Sequence, residues 1–238
     1  MRLNRYIAKS GIASRRKADI LIRNGKISVN DIIVQEPSYN VTEEDSVKIG
    51  EKAIQPQDYV YVIFNKPKGV SSTLKDRFAK RTIIEVLPKE LSKEDRRIYP
   101  VGRLDKDSRG LIILTNDGDL CYRATHPKFH VEKEYLVKLT GIFEKNDCQK
   151  ALQGVRDNSD YLKIKKIEIL RKGKTRSVCR VVVCEGRKRH LRRLFKLLGF
   201  EVVDLKRVRI GRLILGNLEE GRCRIIQREK IYSLLYKE

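Results

Sequence analysis

The sequence predicts an α+β protein in two parts. Residues 1–58 read as a small helical and β unit with a linker, and 59–238 as a larger domain whose mixed, mostly antiparallel sheet carries flanking helices. Three observations predict this. Residues 1–30 hold eight Lys or Arg and one acid, Asp19, whereas 31–58 hold seven acids against Lys48 and Lys52, so the composition breaks between the parts. From 59 onward β-prone runs alternate with helical ones, without internal repeat or low-complexity tract. At 238 residues, 40% of them apolar, the chain is long enough for one large domain or two unequal ones with buried cores.

In the first block, "LNRYIAKSG" and "SRRKADILIRNG" read as two short helices. Ser14 is a good N-cap for the second, and Gly25 stands where a C′ glycine ends a helix. Ala18, Leu21 and Ile22, spaced i, i+3, i+4, form its buried stripe and leave Arg15, Arg16, Lys17 and Arg23 to solvent. Three successive bases at a helix N-terminus repel one another and the helix dipole, a cost that an anionic partner relieves. "KISVNDIIV" reads as a strand, a turn at Asn30-Asp31 and a second strand; Gly50, Pro56 and the polar run of "SVKIGEKAIQPQD" read as a linker.

In the second block, "YVYVIF" (59–64) restarts a core. Further strands are expected at 111–115, 134–140, 164–170, 178–184 and 223–228, and helices at 82–87, about 118–124, 145–153 and 188–198. The last of these places Leu191, Leu194, Phe195 and Leu198 on one face, with bases opposite.

The 53 Lys and Arg against 31 Asp and Glu give a formal charge of +22, which favours a polyanionic partner, most often nucleic acid. A ribosome-associated protein without chemistry satisfies that charge as well as an enzyme does. No apolar stretch approaches the ~18–20 residues of a membrane helix, so no membrane association is expected. The basic N-terminus lacks the apolar core of a secretory signal. Cys121, Cys148, Cys179, Cys184 and Cys223 form no CxxC pair and no zinc spacing, and are expected to be reduced thiols of a cytoplasmic protein. No GxxxxGK[ST] occurs, which excludes a P-loop.

Four aspartates, 105, 107, 117 and 119, stand close together in this basic chain. A metal site is not expected there: no histidine or further glutamate is near, and Arg103, Lys106 and Arg109 compete with a cation. Asp117 and Asp119 follow the apolar "LIILT" in "NDGDL", where Asx residues and glycine turn the chain and cap a helix. Asp107, before Ser108, is suited to holding its loop by local hydrogen bonds. Asp105 is left without such a role. Arg103 and Lys106 favour its charged form, which suits a nucleophile or a base better than a general acid.

Residues Leu3 to Ile7, Gly11 to Ala18 and Gly25 to Asn30 resemble the S4 RNA-binding domain, with Asp31 where a glycine is usual. The stretches "NKPKGVSST" (65–73), "GRLDKDSRGLIILTNDGDL" (102–120), "HPKFHVEKEYLVKL" (126–139) and "EGRKRHLRRLFKLLGFEVVDLKRVRIG" (185–211) together resemble the RsuA/RluB family of ribosomal RNA pseudouridine synthases. That resemblance implies that Asp105 is the catalytic aspartate, that Tyr135 stacks on the target uracil and takes the C5 proton, and that Arg192 pairs with the aspartate. It further implies that Leu205 lines the uracil pocket and that Arg103 helps displace the base or holds its phosphate. His190 stands where a glutamine is usual and is read as a hydrogen-bonding substitute, with a role as catalytic base the alternative. Arg5, Arg15, Arg16, Lys17, Arg23, Arg187, Arg189 and Arg193 are the bases expected at the RNA.

The implied reaction breaks the N1–C1′ bond of uridine, rotates the uracil and joins C5 to C1′; it is redox-neutral and needs neither cofactor nor metal. A monomer acting on ribosomal RNA is expected, with the large subunit preferred. A small-subunit target, or an assembly factor in which binding matters more than turnover, is the alternative.

Overall fold

The computed structural model describes residues 1–74, 81–88, 90–91, 97–158 and 160–236. The chain divides into two units, Met1–Val60 with Pro88–Ile98, and Tyr61–Leu87 with Tyr99–Glu238.

In the first unit, α1 (Leu3–Lys9) and α2 (Arg15–Arg23) share a core with β1 (Ile27–Val29) and β3 (Val47–Ile49), while β2 (Ile32–Ile33) and β4 (Lys52–Ala53) are exposed. The strands run antiparallel in the order β2-β1-β3-β4. Ser14 Oγ accepts from Lys17 N at 3.2 Å, and Gly25 follows the helix at φ +66°. Asn30 and Asp31 both have positive φ, the two-residue turn whose twist matches that of a hairpin. Ala18 and Ile22 are buried and Leu21 partly so. One expectation is corrected: the segment around Gly50 is no linker, because Lys48 pairs with Ala53 and Ile49 with Lys52 around a glycine at φ +57°.

The second unit begins with β5 (Tyr61–Lys66), β6 (Tyr99–Pro100), β7 (Arg109–Thr115), α3 (Gly118–Thr125), β8 (Lys133–Thr140) and α4 (Lys145–Gln153). A small hairpin, β9 (Val155–Asp157) and β10 (Asp160–Leu162), precedes β11 (Lys166–Lys172) and β12 (Arg176–Val183). Then come α5 (His190–Leu197), β13 (Val202–Ile210), β14 (Leu213–Ile214), β15 (Cys223–Ile225) and α6 (Arg228–Leu235). The main sheet runs β11-β12-β8-β13-β7-β5-β15, with β14 on β13 and β6 on β7. Its pairs among the described residues are antiparallel except β13–β7, so the sheet is mixed and mostly antiparallel.

β5 is buried at every position and β7 at six of seven, as expected of apolar runs covered on both faces. α5 lays Leu191, Leu194 and Phe195 into a core with Val137, Leu139, Val181 and Leu205. Each such side chain contributes about 1.5–3 kcal/mol when fully buried. The parallel β13–β7 junction depends on Gly110, which has φ +105° and whose Cβ would lie 2.3 Å from Arg207 O.

Two expectations fail, and one strand was not expected. The helix at 82–87 is a single 3₁₀ turn, Ile84–Val86, because Pro88 forces Leu87 into extended backbone (ψ 153°). The strand at 223–228 ends at Ile225, and Arg228 already opens α6. The nine-residue β13 had no counterpart in the sequence reading, since its charges mask its alternation. Those charges are met by neighbours, Asp204 by Arg109 and Arg209 by Glu132 and Glu134.

Candidate active site

Asp105 lies in the loop between β6 and β7, and hydrogen bonds hold that loop on both sides of it. Ser72 Oγ donates to Leu104 O at 2.8 Å and accepts from Leu104 N at 3.2 Å, while Gly69 N donates to Lys106 O at 2.8 Å. Asp105 O itself accepts from Ser108 N at 3.0 Å. The 67–72 segment that supplies these clamps is folded around the fully buried Lys66. Its ammonium donates to Pro67 O at 2.9 Å and Val70 O at 2.7 Å, and burial pushes its pKa down to about 8. None of these contacts uses the Asp105 carboxylate, which has no hydrogen-bond or ion-pair partner among the described residues. A carboxylate held by its backbone and left free at its oxygens is prepositioned for a reacting atom.

Asp105, Tyr135, Leu205 and Arg103 all line one cavity of about 320 Å³, together with Ser71, Ser108, Arg189 and His190. Tyr135 comes from β8, opposite Val181 of β12 and Arg207 of β13, and its hydroxyl has no partner among the described residues. Leu205, 5% exposed, serves both the cavity wall and the core. His190 is 5% exposed, and its Nε2 donates to Lys163 O at 3.0 Å because a carbonyl can only accept. Burial holds its pKa below the ordinary range and favours the neutral ring. An aromatic face, an apolar wall and a carboxylate around this volume accommodate one nucleobase and its sugar. No cluster of three or more His, Cys, Asp or Glu among the described residues is placed to hold a metal ion.

Arg192 is corrected. It makes no ion pair with Asp105 and is not part of the cavity wall; Nη2 donates to Asp107 O and Nη1 to Val202 O, each at 2.9 Å. It ties the Asp105 loop to the approach of β13. Burial, then Arg189, pull its pKa down, while Asp107 and then Asp105 oppose them.

The expected RNA-facing bases divide. Arg5, Arg15, Arg16, Lys17 and Arg23 are exposed, and Arg15, Arg16 and Lys17 have no ion-pair partner among the described residues. Arg189 stands 3.8 Å from Asp107 at the cavity rim. Arg193, however, is bound to Asp157 and, at 2.7 Å, to Asp160, and Arg187 pairs with Asp160 and Glu185. These two do not present free charge, because the β9–β10 hairpin, absent from the sequence reading, brings acids to them. Two further pieces were also missed: Ser72, within a quoted motif but without a role, and the two-pronged Arg109–Asp204 bridge (3.0 and 2.7 Å) joining β7 to β13.

The cavity that holds both Asp105 and Tyr135 lies in a chain with clear relatives among known proteins. An S4 domain model matches residues 1–47, and a model described as RNA pseudouridylate synthase matches residues 60–197. The chain belongs to the RNA pseudouridylate synthase family. It is 35% identical over 235 residues to the ribosomal large subunit pseudouridine synthase B of Bacillus subtilis, covering 98% of this chain and 95% of that one. An uncharacterized RNA pseudouridine synthase of Aquifex aeolicus is also 35% identical, over 98% of this chain and 96% of its own. A crystal structure of a pseudouridylate synthase superposes with a TM-score of 0.69 at 31% identity, over 98% of this chain and 99% of that one. The synthase is therefore an isomerase acting on RNA, by the aspartate-dependent, cofactor-free chemistry general to its family. None of its described helices is long and apolar enough to cross a membrane.

Proposed function

We propose that this synthase converts one uridine of large-subunit ribosomal RNA to pseudouridine, in the cytoplasm and as a monomer, with Asp105 as the catalytic carboxylate. The observation that supports this reading best is Asp105 itself, clamped at Leu104 and Lys106 and free at its oxygens, in one cavity with Tyr135 and Leu205. The relative named for the large subunit matches nearly end to end, which supports the choice of subunit.

The target uridine leaves its stack at a cost of a few kcal/mol, offset by contacts inside the pocket. Tyr135 provides the aromatic face and Leu205 the apolar wall; Arg103 fills the space vacated in the RNA or holds its phosphate. Asp105 acts while the N1–C1′ bond breaks, either as the nucleophile at C1′ or as the base at the 2′ position. As the nucleophile it forms an ester that C5 later displaces to free the carboxylate. As the base it forms a glycal and returns the proton when C5 adds to C1′. The uracil turns, C5 bonds to C1′, the C5 proton passes to Tyr135 and on to solvent, and N1 gains a proton. Atoms balance without a co-reactant. Arg192 acts as a positioning residue through Asp107 O. Arg5, Arg15, Arg16, Lys17 and Arg23 bind rRNA phosphates from the S4 unit.

The test is to map pseudouridines in total ribosomal RNA of a deletion strain by carbodiimide-dependent reverse-transcription stops. One missing large-subunit stop, restored by the wild-type gene and not by Asp105→Asn, is expected. A stop lost from the small subunit overturns the subunit assignment, and no lost stop overturns the reaction.

A further inference from the structure

A second cleft, of about 970 Å³, lies behind the catalytic cavity, and the two share Glu185, Gly186 and Arg187 as a common wall. Its apolar floor comprises Ile164 and Leu152, and its rim carries Pro127 and Lys163. Two cations at or beside this rim lack carboxylate partners among the described residues. Lys163 is exposed, and its carbonyl accepts the Nε2–H of His190, a wall residue of the first cavity. Lys128, next to Pro127, is held over the rings of Tyr122 (5.0 Å) and Phe129 (4.8 Å). Aromatic rings fix an ammonium without neutralising it, so its charge stays available to an anion. The other two cations of the cleft are already taken, Lys165 by Glu132 and Arg187 by Glu185 and Asp160.

We infer that this cleft holds the nucleotide adjacent in the RNA to the isomerised uridine, its base on the Leu152–Ile164 floor and its phosphate between Lys128 and Lys163. The inference rests on the proposed function, because a uridine in the first cavity must remain joined to its neighbours. An apolar floor beside unpaired cations is complementary to a base with its phosphate, and sequence-tolerant recognition of an unstacked base has this composition. The bond from His190 to the main-chain oxygen of Lys163 joins a wall residue of the catalytic cavity to the rim of the cleft, and it does not involve the Lys163 ammonium.

The test uses the full chain and synthetic ribosomal RNA fragments around the uridine found by mapping, with the base on one side or the other removed. Loss of the base on one side is expected to weaken binding about tenfold, measured with the Asp105→Asn protein so that turnover does not intervene. Leu152→Asp, at a residue 42% exposed, should bind intact and abasic fragments alike. Lys163→Glu and Lys128→Glu should raise KM about tenfold with kcat within threefold, and each should lower the salt slope of binding by about one. Equal affinity for all fragments in a protein whose wild type makes pseudouridine overturns the cleft assignment alone. A wild type that makes none in ribosomal RNA overturns the function and the cleft with it.

Discussion

The guanidinium of Arg192 donates to the main-chain oxygen of Asp107 at 2.9 Å, two residues beyond Asp105. Its other amino group reaches Val202 O, so one side chain spans the Asp105 loop and the strand that carries Leu205. Arg193, its neighbour, points its charge at the Asp157–Asp160 hairpin. Arg192→Leu should therefore slow single-turnover isomerisation at saturating enzyme by about 10²-fold, the scale of a loop misplaced by an ångström. Arg193→Leu should keep that rate within threefold and cost about 1–3 kcal/mol of stability in urea titration. Equal rates for the two variants would remove Arg192 from the machinery.

The four aspartates should divide between chemistry and stability. Asp105→Asn keeps its size and loses its charge, so tritium release from 5-tritiated uridine RNA should fall below detection with RNA affinity retained. Asp117 is 1% exposed and accepts from Asp119 N, Leu120 N, Tyr61 Oη and Tyr232 Oη, which joins the start of α3 to β5 and α6. Asp117→Asn should cost about 2–4 kcal/mol and leave the refolded enzyme active. Asp119→Asn and Asp107→Asn should stay within about 1 kcal/mol.

Two lysines should make stability rise with alkalinity. Burial pushes Lys66 and Lys133 from an ordinary 10.5 down to about 8. Between those values the unfolded chain binds protons that the fold has shed, so unfolding becomes harder as pH rises. The urea midpoint should climb from about pH 8 to 10.5, and Lys133→Met should remove part of the climb. On the acid side, the Arg109 hydrogen bond holds Asp204 below the usual carboxylate range. Its contribution is complete above the unfolded value and is lost as pH falls through the folded one. Asp204→Asn should flatten that limb; a midpoint independent of pH above about 8 would contradict the lysine assignment.

The exposed bases of α2 should act at long range. Arg15→Glu with Arg16→Glu should weaken binding to ribosomal RNA fragments and flatten the dependence of log K on log salt by about one unit for each phosphate no longer neutralised. The rate of bound substrate should not change. An unchanged slope would separate this helix from the RNA.

Much of this protein was legible in its residues. Local rules sufficed where a neighbour in sequence supplies the partner: Ser14 as the cap of α2, Asn30-Asp31 as a hairpin turn, Asp117 at the start of α3, and the apolar face of α5. Asp105 could be singled out by eliminating bland roles for the other aspartates, and resemblance then gave it a chemistry. The tertiary structure decided whatever depends on partners distant in sequence. β13 is a strand because Arg109, Glu132 and Glu134 answer its charges, Arg193 is spent on a hairpin, and Arg192 holds a backbone oxygen where a carboxylate was expected. Caps and turns are satisfied within a few residues and leave their mark in composition. A charge that the fold takes partly out of water is satisfied by whatever the fold brings near it, 85 residues away for Arg192 and Asp107, and no local pattern encodes that choice.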